Sequence, residues 1–194
     1  MAKLIDRAIP DPGYYMIAAP QTTIDPVFKR SVIFITGSDA LKVYGHIINK
    51  PTQLITCEQF PDFREITTPI YWGGHHDWEV HFIHTLEELH KCSHHISHGI
   101  YYGGDTDFIG MHSRKRNSRN IIRLFAGQCI WNEFDLREEI AGGKWIIIPG
   151  SHAMRTVLFN SPEESWDDLW LKCIANVDKM LALTAELDLE HKQN

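Results

Sequence analysis

The chain has 194 residues, 43% hydrophobic and 23% charged, with 19 basic side chains against 25 acidic ones and a formal net charge of −6. That length suits one domain able to bury roughly 70% of the surface its unfolded chain exposes. The acidic balance opposes non-specific attraction to nucleic acid or an anionic membrane, and no segment approaches the roughly 18 uninterrupted apolar residues of a membrane span.

The first ten residues carry Asp6 and Pro10 where a secretory signal needs a continuous apolar stretch. Cys57, Cys92, Cys129 and Cys173 show no Cys-x-x-Cys spacing, which predicts reduced thiols in a cytoplasmic protein. The first strand is expected over 14–18, stopped by Pro20. Asp25 then caps a short turn with Pro26 at its first position. Residues 31–36, apolar at four successive positions, predict an internal strand covered on both faces, and 43–49 a third strand beside it after the break at Gly37-Ser38-Asp39. Residues 51–68 read as a loop around a short helical piece.

Ile70-Tyr71-Trp72-Gly73-Gly74 and Ile100-Tyr101-Tyr102-Gly103-Gly104 each predict a strand that stops at a glycine pair before an acid. Thr85-Leu86-Glu87-Glu88 has the form of a capping box, which predicts a helix over 85–95. Asp105 is placed to cap a helix over 106–112. Further on, 133–141 reads as a short charged helix ending at Gly142-Gly143, and 144–148 as a buried strand stopped by Pro149. Ser161-Pro162 starts a helix whose stripe of Trp166, Leu169, Trp170 and Cys173 is core spacing. A final amphipathic helix through Val177, Met180, Leu181 and Leu187 is suited to packing on the body or joining two subunits of a homo-oligomer.

Several of these segments together resemble the AlgH/YqgE family of bacterial proteins, which carries the label of transcriptional regulator. The resemblance rests on Gly13, Ala18-x-Pro20, Asp25-x-x-Phe28-x-Arg30-Ser31-Val32 and Gly45-x-x-Ile48-Asn49-Lys50-Pro51. It continues through Ile70-Tyr71-x-Gly73-Gly74, His84, Gly127-x-x-x-Trp131, Leu136-x-x-Glu139-Ile140, Trp145, Pro149, Phe159 and Trp166. It implies one domain over 13–174 with a tail over 175–194, and an α/β fold in which a mixed β-sheet curls into a partial barrel with helices packed outside. It implies no catalytic residue. The chain departs from the family pattern at His75-His76, where proline and valine are usual, and at Ile130, Phe134 and Asp135, where the family is richer in glycine and has a glutamine.

Five sets of candidate site residues follow. Asn49 and Lys50 place hydrogen-bonding capacity at a strand end. Gly73, Gly74, Gly103 and Gly104, with His75, form loops whose N–H groups could cradle an anion, although ordinary tight turns explain the same glycines and take precedence. Trp131 marks the divergent segment. Nine of the 12 histidines fall between 75 and 112, and on a helix over 85–95 Glu87, His90 and His94, with His98 beyond its end, have the spacing of a zinc site. Surface histidines are the simpler reading, because the embedded glutamate of His-Glu-x-x-His is missing. Arg114, Lys115, Arg116 and Arg119, joined by Arg123, form a basic run suited either to phosphate contact or to a solvated loop after a helix. No phosphate-binding loop, nucleophile elbow or dinucleotide fingerprint occurs. The sequence therefore favours a non-catalytic regulatory or binding protein with a protein or small-molecule partner and no predicted cofactor. A small histidine-dependent enzyme, with zinc as the metal the histidines could take, and a nucleic-acid or nucleotide binder through 114–123 are the alternatives.

Overall fold

The computed structural model describes residues 9–20, 25–52, 69–89, 91–113, 121–159 and 166–178. Its strands are β1 (Tyr15–Ala18), β2 (Val32–Ser38), β3 (Lys42–Ile47), β4 (Ile70–Trp72), β5 (His76–His84), β6 (His94–Ser97), β7 (Ile100–Tyr102), β8 (Ile122–Asn132) and β9 (Trp145–Ile148). The described helices are α1 (Thr106–Ser113), α2 (Glu133–Ala141), α3 (His152–Phe159) and α4 (Trp166–Ala175). The sheet runs β6-β7-β5-β8-β3-β2-β1-β9, antiparallel along that path, and β4 joins β8 in parallel, so it is mixed as expected.

Side-chain alternation explains why this sheet curls. Tyr15, Ile17, Phe34, Tyr71, Ile83, Ile100, Phe125 and Ile148 pack in one cluster, although Ile100 and Ile148 belong to strands near opposite ends of the strand order. Only a sheet bent toward itself brings them together, and this is the expected partial barrel. The inner apolar end is covered by Leu158 and Phe159 of α3 and by Trp170 and Cys173 of α4. Trp170 donates its indole N–H to the carbonyl of Ala18 at 2.8 Å, which fixes α4 across the start of the barrel. Outside the sheet, α2 covers Met16, Ile33, Val43 and Trp131 through Leu136, and α1 covers Phe82, Ile122 and Leu124 through Ile109. Each fully buried large apolar side chain contributes about 1.5–3 kcal/mol. No described helix is long and apolar enough to cross a membrane.

Local caps form where the sequence places them. The Asp25 carboxylate accepts the Val27 N–H at 2.8 Å, and that of Asp105 accepts the Phe108 N–H at 2.9 Å. The helix expected over 85–95 does not form. Glu87–Leu89 makes a single 3-10 turn, and the chain then enters β6, pairing His94 with Tyr102 and His95 with Tyr101. The unpaired edge of β7 offers a full set of hydrogen bonds, and His84 accepts the Leu86 N–H on its Nδ1 at 3.1 Å. Tertiary pairing thus overrides local helix preference. Most of the 51–68 segment, the start of the Ser161-Pro162 helix and the final amphipathic helix beyond Asp178 lie outside the described residues.

The long strand β8 serves three neighbours and changes partner at Gly127. Residues 122–126 pair with β5 on one side, 124–126 with β4 on the other, and 129–132 with β3. Gly127 adopts φ +71°, and a Cβ there would stand 2.5 Å from the Gly74 carbonyl oxygen. Ala126 and Cys129 both lie in outer clusters, so one extra residue separates them and the strand is bulged. Gly127→Ala is expected to cost at least about 3 kcal/mol in urea unfolding, from left-handed strain plus a backbone collision, whereas Gly143→Ala, with φ +73° and open space at its Cβ, costs about 1 kcal/mol.

His46 and His84 are fully buried and His81 largely so. Burial holds all three imidazoles below their usual range, His46 furthest and with His81 beside it adding to the effect. Below about pH 6.5 the unfolded chain takes up protons that these groups refuse in the fold, so stability is complete above that pH and falls as pH drops. The urea midpoint is expected to fall between pH 7.5 and 5.5, and His46→Gln to flatten part of the decline; a midpoint constant over that range contradicts neutral buried histidines.

Candidate functional site

At the end of the barrel away from α3 and α4 the inner face turns polar and opens. A cavity of about 400 Å³ is lined by Thr36, Gly37, Tyr44, His94, Tyr102 and Gln128. Three irregularities in otherwise regular strands build it. In β2 the register shifts between Ile35 and Gly37, so Thr36 and Gly37 both face the opening. In β8 the Gly127 bulge brings Gln128 to the same face as Phe125. In β5 the register shifts between His76 and Val80, where Asp77 adopts φ +52°. Bulges re-aim side chains at barrel rims in this way.

Beneath the opening lies a hydrogen-bonded layer. Tyr102 Oη and His81 Nδ1 are 2.6 Å apart, and His81 Nε2 lies 3.9 Å from Asp77 Oδ2. Asp77 Oδ2 accepts from the Gln128 amide at 3.1 Å. His46 stands against His81 with ring centroids 5.1 Å apart, and its Nδ1 is 3.3 Å from the Thr36 hydroxyl. Among the described residues neither His46 Nε2 nor His81 Nε2 has a hydrogen-bond partner. Burial lowers the His81 pKa, against an opposing pull from the Asp77 backbone and carboxylate and from Glu79. Burial, then Asp77 and Glu79, push the Tyr102 phenol up to about 12. The His46 and His81 imidazoles and the Tyr102 phenol are therefore neutral near pH 7.

The sequence-predicted candidates are distributed differently. Asn49 is structural: its Oδ1 accepts the Val32 N–H at 2.9 Å and its amide donates to the Arg30 carbonyl at 2.9 Å. The Lys50 ammonium donates to the Val27 carbonyl and sits 5.6 Å from the centroid of the Trp72 ring. Gly73 and Gly74 are pressed against β8, where a Cβ on either would stand 2.2 Å from backbone atoms. The Gly73 N–H donates to Ala126 and the Gly103 N–H to Phe82, so neither is free for an anion. Gly104 follows at φ +124°. His75 is exposed beside Phe28, and Trp131 is buried between Phe28 and Trp145. Glu87 lies in the 3-10 turn, His94 on β6 and His98 in the β6–β7 turn, so the helix face that was to unite them is absent. His90 lies outside the described residues, and among those described no three His, Cys, Asp or Glu side chains form a metal-holding group.

Arg114, Lys115, Arg116 and Arg119 also lie outside the described residues. Arg123 departs from the basic-loop expectation: it is buried on β8 with its guanidinium 4.3 Å from the Tyr71 ring centroid. The Cys129 thiol donates to the Gly73 carbonyl and burial raises its pKa, which suits an inert core thiol. Of the predicted residues, His94 alone borders the cavity. Thr36, Tyr44, His46, Tyr102 and Gln128 were not among the sequence candidates. Their available signal was polar side chains at every second position of otherwise apolar strands, as in Tyr44-x-His46.

Comparison with known proteins supports the resemblance seen in the sequence. The AlgH-like family profile matches residues 15–178. The chain is 27% identical over 161 residues to a UPF0301 protein of Chlorobium phaeobacteroides, covering 82% of this chain and 83% of that one. It is 28% identical over 188 residues to a UPF0301 protein of Buchnera aphidicola, covering 90% and 95% respectively. A Corynebacterium diphtheriae crystal structure superposes with a TM-score of 0.66 at 21% identity over 86% of each chain. The solution structure of the AlgH protein from Pseudomonas aeruginosa gives 0.63 at 17% identity, over 88% of this chain and 92% of that one. These structural likenesses bear on the fold alone, and the half-barrel is common to them. With a family match from β1 through α4, the chain belongs to the AlgH-like family.

Proposed function

We propose that this protein is a non-catalytic binding module whose small polar ligand enters the open end of the half-barrel. The observation that carries the reading is the cavity over Thr36, Tyr44, Tyr102 and Gln128, whose polar groups are tied to a buried layer beneath them. Preformed concave sites with a few convergent polar groups are where small molecules bind, and barrel mouths are a frequent location. A regulatory role would follow from such binding if occupancy altered contact with a protein partner.

A histidine-dependent enzyme is the second reading, favoured by the Tyr102–His81–Asp77 chain. Two features place it behind binding. A phenol raised to about 12 is a weak acid and is scarcely ionised at neutral pH. The 3.9 Å separation between His81 and Asp77 is too long for a hydrogen bond that would orient a general base.

Gly37 supplies the test. A Cβ built there meets only Tyr44 Cδ2, at an ordinary 3.9 Å, with no left-handed backbone to strain. Gly37→Phe is therefore expected to fill the opening while leaving the thermal midpoint within a few degrees of the parent. Native mass spectrometry of untagged protein should find a retained small molecule in the parent and none in the variant. Equal retention by both proteins would overturn the mouth as the binding site. Turnover of a ligand that disappears in both His81→Ala and Tyr102→Phe would favour the enzymatic reading instead.

A further inference from the structure

Several hydrogen bonds beneath the opening run in one direction. A carboxylate can only accept, so the Tyr44 phenol donates to Asp39 Oδ2 at 2.7 Å and the Gln128 amide donates to Asp77 Oδ2 at 3.1 Å. Tyr102 Oη and His81 Nδ1 share a hydrogen bond of 2.6 Å. The Thr36 hydroxyl contacts two groups, the Tyr44 carbonyl at 3.5 Å and His46 Nδ1 at 3.3 Å, and both lie within the wall. Tyr44, Gln128 and Thr36 each commit one donor to the wall. The phenol oxygens of Tyr44 and Tyr102, the amide oxygen of Gln128 and the Thr36 oxygen keep lone pairs, beside the second Gln128 N–H and the His94 imidazole.

Charge reinforces this polarity. Among the described residues no Lys or Arg lines the cavity. Behind its rim stand Asp39 and Asp77, each bonded to a lining residue, and Glu79 is close enough to act on both Tyr102 and His81. The Lys42 ammonium acts on Asp39 from the strand that follows it, but Lys42 is not a lining residue. The faces of Tyr44 and Tyr102 add the negative quadrupole that attracts cations. An anion would meet oxygen lone pairs backed by carboxylates. A neutral polyol would bring acceptors that find few donors.

We infer that the ligand class of this site is a small nitrogen-centred cation bearing N–H donors, such as a primary alkylammonium, held by Tyr44, Tyr102 and Gln128 with Asp39 and Asp77 behind them. This rests on the reading of the mouth as a binding site. An ammonium supplies three donors to these oxygens, and each hydrogen bond to it is charge-assisted.

The test uses three probes of the same chain length and different charge: 1,4-diaminobutane, butane-1,4-diol and succinate. Each is titrated into full-length protein by calorimetry, with NMR shifts of Tyr44, Tyr102 and Gln128 reporting position. The diamine is expected to bind at these residues at least about tenfold more tightly than the diol, with succinate not binding there. Asp77→Asn and, separately, the exposed Asp39→Asn should each weaken the diamine several-fold, and the second variant guards against loss of fold in the first. Diol or succinate binding at the mouth as well as the diamine does would overturn the ligand class and leave the binding module standing. Diamine binding unaffected in folded Asp39→Asn and Asp77→Asn would also overturn it. No shift at these residues with any probe would overturn both readings.

Discussion

The rest of the structure depends on one close backbone approach, where Gly73 and Gly74 cross Gly127. At this crossing β4 leaves β8 and β3 takes its place, with the Ile47 N–H bonded to the Gly73 carbonyl at 2.9 Å as the hand-over. Side chains there would collide with backbone, which cannot withdraw as a flexible side chain can. The crossing has a second consequence. By holding Gly127 in a left-handed conformation it inserts one residue into the alternation of β8, so Phe125 and Gln128 share the inner face while Cys129 and Trp131 return to the outer one. Without that insertion Gln128 would point away from Tyr102 and Tyr44, and the polar end of the barrel would lose one wall.

What was legible in the sequence and what was not divide along the same line. Local signals were readable: Asp25 and Asp105 as caps, Gly142-Gly143 as the end of α2, and Trp170 and Cys173 as core spacing. The apolar run around Val32 to Ile35 does form an internal strand, and the glycine pairs do end short strands. Each depends on chemistry within a few residues. The 85–95 segment misled because its capping-box spelling is local while its partner, the edge of β7, is supplied by the fold. The central strand β8 was also not read as a strand, because its apolar residues change face at Gly127 and so break the simple period of two. The candidate site depends on three such irregularities, so it was the least legible part of the chain.

Histidine density was a poor guide for a related reason. It is measured along the chain, whereas the environment that gives an imidazole a role is assembled across strands. Of the dense stretch, His84 is a structural residue: its Nδ1 accepts from Leu86, and its Nε2–H donates to the Gly103 carbonyl at 3.0 Å. The exposed His75 and His76 rings lie tilted against each other at the start of β5, with centroids 4.1 Å apart. His81 reaches the site, and its nearest imidazole is His46, which precedes the dense stretch by many residues. Burial sets which histidines can matter, because desolvation keeps them neutral and leaves a nitrogen lone pair or N–H to be matched by something else.

The departures from the family pattern acquire a location from β8. His75 lies against Phe28, which packs on Trp131 and Trp145, so that departure belongs to the aromatic cluster on the outside of the sheet. Phe134, largely exposed at the start of α2, lies beyond the same cluster. Ile130 is different, for it pairs with Tyr44 and shares the inner face with Gln128. Strand β8 therefore carries the polar mouth on one face, at Gln128, and the aromatic cluster on the other, at Trp131. A bulky residue at 130 restricts Tyr44 from the side, and Tyr44 is already held by Asp39 from beyond the strand end. The phenol that borders the cavity is thus confined by one residue that departs from the family and one carboxylate that favours its donor role. Because Tyr44 is the cross-strand partner of Ile130, the tryptophan segment adjoins the cavity through this pair.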